Sequence, residues 1–276
     1  MLQLTALMDD TPPKNKTLFA EHGLSYYMEY NGFRLLFDCG PTAHAQENAR
    51  RLGIGLDGLD GVILSHSHYD HAAGYRDLVE AGLGSHLLYT GPQFFEPKYA
   101  RKGVAFANLS CGFDAGFLQL HHVQHRVVED AVEIHPGIWL FSGFPRLHSF
   151  ETIPERFVRR QADQFIPDDF ADEVCLTLEV EGGLAVLVGC SHPGILNILT
   201  HIEKTLDKPI RAVFGGTHLV EADERRIAAT IARLQEMGLE ILGFSHCSGE
   251  AAQQFLASRP EIQSCHLCSG DCIFLN

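Results

Sequence analysis

The chain has 276 residues, is 45% hydrophobic and carries a formal net charge of −14. That length and apolar content allow a substantial core, best met by one large α/β domain. The acidity argues against a counterion-displacing grip on nucleic acid or on an anionic membrane face, so a small-molecule substrate is the expected partner. No stretch approaches the roughly 20 apolar residues of a membrane span. No basic segment precedes the short apolar run before Asp9 and Asp10, so a cytoplasmic protein is expected. The eight cysteines then read as reduced thiols or ligands rather than disulfides, and oligomeric state is left open.

In chain order, residues 24–30 form a β-rich run, Asn31-Gly32 signals a hairpin, and 33–37 supply the return strand. A loop, Asp38-Cys39-Gly40-Pro41, leads to a helix over 43–52. The strand 62–65 then delivers His66. Residues 91–172 read as an irregular, substrate-covering insertion rich in Phe, Gly, Pro and His, interrupted by a strand over 137–143. A strand over 174–180 follows the acidic stretch 167–173. The segment 183–194 repeats the earlier plan of apolar strand, Cys-containing turn and helix, here 195–206. RAVFGGTHL brings His218 to a strand end. The helix 223–237 places Ile227, Ile231 and Leu234 on one face, Gly238 stops it, and the strand 239–244 delivers His246.

The chemistry concentrates in GVILSHSHYDHAAG, residues 61–74, where His66, His68, Asp70 and His71 form H-x-H-x-D-H behind an apolar strand. Imidazole nitrogens and a carboxylate oxygen are donors for zinc, iron or manganese. If the strand continues through the motif, His66 and His68 share one face, and a following turn sends Asp70 and His71 toward a second point. Two adjacent metals suit that arrangement better than one. With 16 histidines in the chain, one close pair has a bland reading as solvated surface. Clustered buried imidazoles do not, because they cannot satisfy one another without a cation. Near the C-terminus, Cys265, Cys268 and Cys272 in CHLCSGDC offer a second-centre spacing that needs a fourth donor, with His266 or Cys247 nearby; the alternative is a plain strand over 271–275 after a Gly turn.

A strand ending DCG, a strand ending HSHYDH and later strand-end histidines resemble the metallo-β-lactamase superfamily. AEHGLSYY, LSHSHYDHAAG, VGCSHPGI, GGTHL and SHCSG are together similar to its branch named for 7,8-dihydropterin-6-methyl-4-(β-D-ribofuranosyl)aminobenzene-5′-phosphate synthase. The resemblance implies an αββα four-layer sandwich with two divalent metal ions at the sheet edge, zinc foremost and iron or manganese as alternatives. It implies His66 and His68 on one metal, with Asp70, His71 and His246 on the other. The third histidine of the first metal and the bridging aspartate lack clear matches. VGCSHPGI stands where the bridging residue is expected, making His192 the leading extra ligand, Cys190 the next and Asp172 a weaker one. His192 has the alternative of capping the following helix. His218 is read as ligand, proton donor or orienting group, and His22 and Arg146 as substrate contacts or structural residues.

Three chemistries fit these residues. The first is metal-dependent hydrolysis of a small anionic substrate, with Asp70 as ligand and hydrogen-bond acceptor. The second is a synthase-type reaction on a ribose phosphate and an aromatic or pterin-like partner. The third is an iron redox or sensor protein.

Overall fold

The computed structural model describes residues 1–259 and 261–276. The chain opens with β1 (Leu2–Met8), β2 (Ser25–Tyr30) and β3 (Phe33–Phe37), followed by α1 (His44–Leu52), β4 (Gly61–Ile63), α2 (Tyr69–Ala72), α3 (Gly74–Glu80) and β5 (Leu87–Thr90). A hairpin of β6 (Lys98–Lys102) and β7 (Ala105–Asn108) precedes α4 (Ala115–Leu120), β8 (Gln124–Val127), β9 (Val132–His135) and β10 (Ile138–Phe141). A second hairpin, β11 (Phe157–Gln161) and β12 (Gln164–Pro167), leads to β13 (Cys175–Val180), β14 (Gly183–Val188), α5 (Ile195–Leu206) and β15 (Ile210–Gly215). The chain closes with α6 (Glu224–Glu236), β16 (Ile241–Phe244), α7 (Glu250–Ala257), β17 (Gln263–Cys265) and β18 (Cys272–Leu275).

Two seven-stranded sheets form, in the orders β18-β1-β2-β3-β4-β5-β8 and β17-β16-β15-β14-β13-β10-β9. Their facing surfaces bury Leu4, Tyr26, Met28 and Phe37 against Leu176, Leu178, Leu187 and Phe214. Each outer face is covered in turn. Leu36, Val62 and Leu88 pack with Ala45, Ala49 and Leu78 of the first-half helices, while Val186, Val188 and Val213 pack with Leu199, Ile202, Ile231 and Leu256 of the second. Each buried Val, Leu or Ile side chain among them contributes about 1.5–3 kcal/mol relative to exposure. The result is the αββα sandwich, in which β4 and β14, like other strands buried on both faces, are continuous apolar runs rather than alternating ones.

Local sequence explains the elements. Asn31 and Gly32 both take positive φ, 51° and 84°, the conformation that a two-residue turn between antiparallel strands requires. Asp223 caps α6 by accepting from the Arg226 amide. Residues 91–172 are more regular than their composition predicts. β8 joins the first main sheet and β9 and β10 the second, so only the two hairpins form a separate four-stranded sheet, β12-β11-β6-β7. Strands of four or five residues with one solvent face carry too few apolar positions to announce themselves. No helix among the described residues is long and apolar enough to cross a membrane.

Candidate metal centre

The strand β4 ends at Ile63, so the H-x-H pair lies in the loop beyond it rather than on a strand face. Hydrogen bonds from both halves of the molecule shape that loop. The Ser65 amide and hydroxyl donate to Asp38, at 2.7 Å each, and the Ser67 amide and hydroxyl donate to Asp172 Oδ2, at 2.9 and 2.8 Å. α2 then begins at Tyr69 and carries Asp70 and His71, whose ring comes to 4.3 Å from that of His66. Gly189 leaves room for the arrangement. A Cβ there would meet Ser65 Oγ at 2.1 Å.

Two donor groups result. In the first, the rings of His66, His68 and His192 stand 4.7, 5.0 and 5.1 Å apart pairwise. His66 Nε2, His68 Nε2 and both nitrogens of His192 are buried without a hydrogen-bond partner. In the second, His71 Nε2 and His246 Nε2 face each other at 3.1 Å. Asp70 Oδ2 lies 3.7 and 3.3 Å from these nitrogens, and Cys190 Sγ lies 3.2 Å from His71 Nε2. Cys190 also groups with His66 and His71, and with His246 and Cys247. It therefore stands between the two sets.

Carboxylates set the second pair of rings. His71 Nδ1 meets Asp38 Oδ2 at 2.6 Å and His246 Nδ1 meets Asp10 Oδ1 at 2.7 Å. With each Nδ1–H donated to a carboxylate, each Nε2 presents a lone pair inward, the usual preparation of a metal-binding imidazole. At 3.1 Å the two Nε2 atoms must share a proton or a metal ion. Burial would lower the pKa of His246, but Cys247, Asp10 and Asp70 outweigh it and raise it well above the ordinary histidine value, so positive charge is favoured at this point. Burial, reinforced by neighbouring imidazoles, holds His66 and His192 well below the ordinary histidine pKa, and burial lowers His68 to about 3. These rings are neutral and able to ligate. Burial would raise Asp70, but His71, His246 and His68 outweigh it and hold the carboxyl well below its usual range.

The family model of the Metallo-beta-lactamase superfamily matches residues 19–185, which include this loop. The chain belongs to that superfamily. Over 91% of this chain and 89% of the relative, it is 29% identical to the 7,8-dihydropterin-6-methyl-4-(beta-D-ribofuranosyl)-aminobenzene-5′-phosphate synthase of Methanocaldococcus jannaschii. The crystal structure of Tm1679, a metal-dependent hydrolase of the beta-lactamase superfamily, is 28% identical and superposes over 99% of each chain with a TM-score of 0.85. Zn(2+)-bound PqqB from Methylobacterium extorquens, at 16% identity, 99% and 100% coverage and TM-score 0.57, shares the fold.

Within this metallo-β-lactamase fold, the later candidates separate. His192 faces His66 and His68 instead of taking the bridging place, and it does not cap α5; Glu151 does, accepting from the Leu196 and Asn197 amides at 3.0 and 2.8 Å. Cys190, ranked behind His192 by sequence, is the residue between the two groups. Asp172 is instead engaged in hydrogen bonds, its oxygens taken by Ser67 and by Lys98 Nζ at 3.0 Å. The His218 ring lies 4.5 Å from that of His192, on the rim of the first group. His22 is exposed, with Nδ1 2.8 Å from Asp10 and Nε2 3.4 Å from Asp70. Arg146 does not offer its fork to a ligand. Its guanidinium donates to the Pro193 and Asp169 carbonyls and ties the 142–156 loop to the His192 turn.

Sequence reasoning assigned no role to Asp9, Asp10, Asp38, Lys98, Phe157 or Phe170. Phe157 and Phe170 wall the first group, with Phe170 stacked on His192 at 3.7 Å. The one available signal was acidic residues directly after apolar strands, as in LMDD and LLFDCG. Asp38, Ser191, His218 and His246 also take positive φ, at 59°, 56°, 49° and 48°. Such strained positions gather at functional loops.

Proposed function

We propose that the protein is a metallohydrolase in which His66, His68 and His192 hold one divalent ion, Asp70, His71 and His246 hold a second, and Cys190 lies between them. The observation that carries this reading is the convergence of unpartnered imidazole nitrogens in a buried space, which a pair of cations satisfies and hydrogen bonding does not. A divalent pair supplies an activated water near neutral pH and polarises the oxygen of the scissile group. The N/O-rich donor set with one thiol suits zinc first, with iron and manganese as alternatives. Asp38 and Asp10 orient His71 and His246, while Phe157 and Phe170 exclude bulk water from the first group. His22 and His218, at the two rims, are placed to meet the substrate. The structural likeness to a metal-dependent hydrolase supports hydrolysis, and the substrate proposed for it is small and anionic.

The test is hydrolysis of phosphodiester, diphosphate and lactone substrates by protein loaded separately with zinc, manganese and iron. At least one metal should give turnover. Asp70→Ala should lose more than the roughly 10–100-fold that removing an outer-shell partner costs, with an unchanged circular dichroism spectrum. Full activity in Asp70→Ala would remove it from the mechanism.

A second reading rests on the Methanocaldococcus jannaschii synthase, whose similarity spans most of both chains. In it the same centre holds a ribose phosphate while an aromatic or pterin-like partner reacts. Product formation only from paired substrates, with none from water alone, would favour it.

A further inference from the structure

We propose that Asp9, His266 and Cys268 form a third cation site, of the zinc type, outside the histidine-rich centre. The CHLCSGDC segment leaves the parallel strand β17 and turns back to β18, which pairs with β1. That return brings the segment against Asp9, one residue beyond the end of β1. One donor atom from each of Asp9, His266 and Cys268 then lies within 4.8 Å of the others. Of the three cysteines in the motif, Cys268 is the one in this group. Cys272 accepts from the Thr5 hydroxyl across the β1–β18 ladder, and Cys265 lies on β17 opposite Gly243.

The chemistry of each donor fits a cation. Asp9 is fully buried, and its two oxygens accept the Thr11 and His246 amides at 2.8 and 3.0 Å. A carboxylate has about four lone-pair positions, so two amides leave capacity for a metal. His266 Nε2 lies 2.7 Å from Asp9 Oδ1, and its Nδ1 is buried without a partner. The loop that holds Cys268 is pinned by its amide donating to Asp271 Oδ2 at 3.0 Å. An oxygen, an imidazole nitrogen and a thiolate make a three-donor zinc set. Entry is available from the side of His266 and Cys268, which are both partly exposed. The site shares no donor with the histidine-rich centre, but through Asp9 it abuts the His246 backbone.

The test is zinc stoichiometry by mass spectrometry after saturation and gel filtration, in wild type, Cys268→Ser, His266→Ala and Cys268→Asp. The first two variants should hold one zinc fewer than wild type, whatever the occupancy of the histidine-rich centre, and Cys268→Asp should recover it. A second measurement uses the unmutated protein: zinc should slow alkylation of Cys268 by iodoacetamide at least tenfold, read by peptide mass. Equal zinc content in all four proteins, or an unchanged alkylation rate, overturns the proposal.

Discussion

At the residue scale, the centre is built from nitrogens that have been denied hydrogen bonds. Carboxylates take the outward nitrogens of His71 and His246, while His66 Nε2, His68 Nε2 and both nitrogens of His192 have no protein partner. Asp38 has the most connected role, because it accepts from Ser65 twice and meets His71 at 2.6 Å. Asp38→Asn keeps the shape but offers an amide donor where an acceptor is needed. It should weaken metal binding at the Asp70–His71–His246 group by roughly 10–100-fold, with less effect at His66, His68 and His192. Competition with a chromophoric chelator measures both. The H-x-H-x-D-H donors were legible because they are neighbours in the chain. Asp38 and Asp10 were not, because an aspartate after a strand is ordinary until a histidine from elsewhere packs on it.

At the element scale, the small four-stranded sheet is fastened to the His66–His68 loop by a buried charge cluster. Lys98, on β6, sits 2.9 Å from Asp168 and 3.0 Å from Asp172, and Asp172 holds Ser67 between the two histidines. Removing the ammonium leaves two carboxyls buried together, a change worth about 3–5 kcal/mol. Lys98→Met should therefore lower the unfolding free energy by that amount in denaturant titrations. Burial alone would lower the pKa of Lys98, but Asp172 and Asp168 raise it above its usual 10.5. The folded-state value is the higher one. Its contribution is thus fully present below pH 10.5 and is lost as pH rises through the folded value, so the gap between wild type and Lys98→Met should hold from pH 7 to 10 and narrow above it. The helices over 195–206 and 224–236 were visible in the sequence because their apolar positions repeat with helical period. The hairpins of this sheet were not, because each is short and solvated on one face.

At the scale of the whole molecule, the two halves are joined through their edges as well as their cores. β18 comes from the second half of the chain but pairs with β1 of the first sheet, Leu2 with Leu275 and Thr5 with Cys272. β1 in turn delivers Asp9 and Asp10 to His246. Deleting residues 272–276 exposes the β1 edge and removes the packing of Ile273 and Leu275 against the core between the sheets, at most about 1.5–3 kcal/mol for each side chain. The melting temperature should fall, light scattering should show association through the bared edge, and the His246 group should lose metal before the His66 group. Retention of metal at both groups would show that β1 needs no support from β18.

The sequence by itself determined what depends on neighbours along the chain: the helices and longer strands, the turn at Asn31-Gly32, and a four-donor motif that names the superfamily and implies metal. Only the tertiary structure decided how the later strand ends divide around that motif. It put His192 with His66 and His68, Cys190 between the groups, and Asp172 and Arg146 into supporting bonds. These assignments turn on distances of a few ångströms between residues far apart in the chain, more than a hundred positions for Cys190 and His71. Such distances are set by how two twisted sheets pack and where their edges meet, and no periodicity in a linear chain encodes that meeting point.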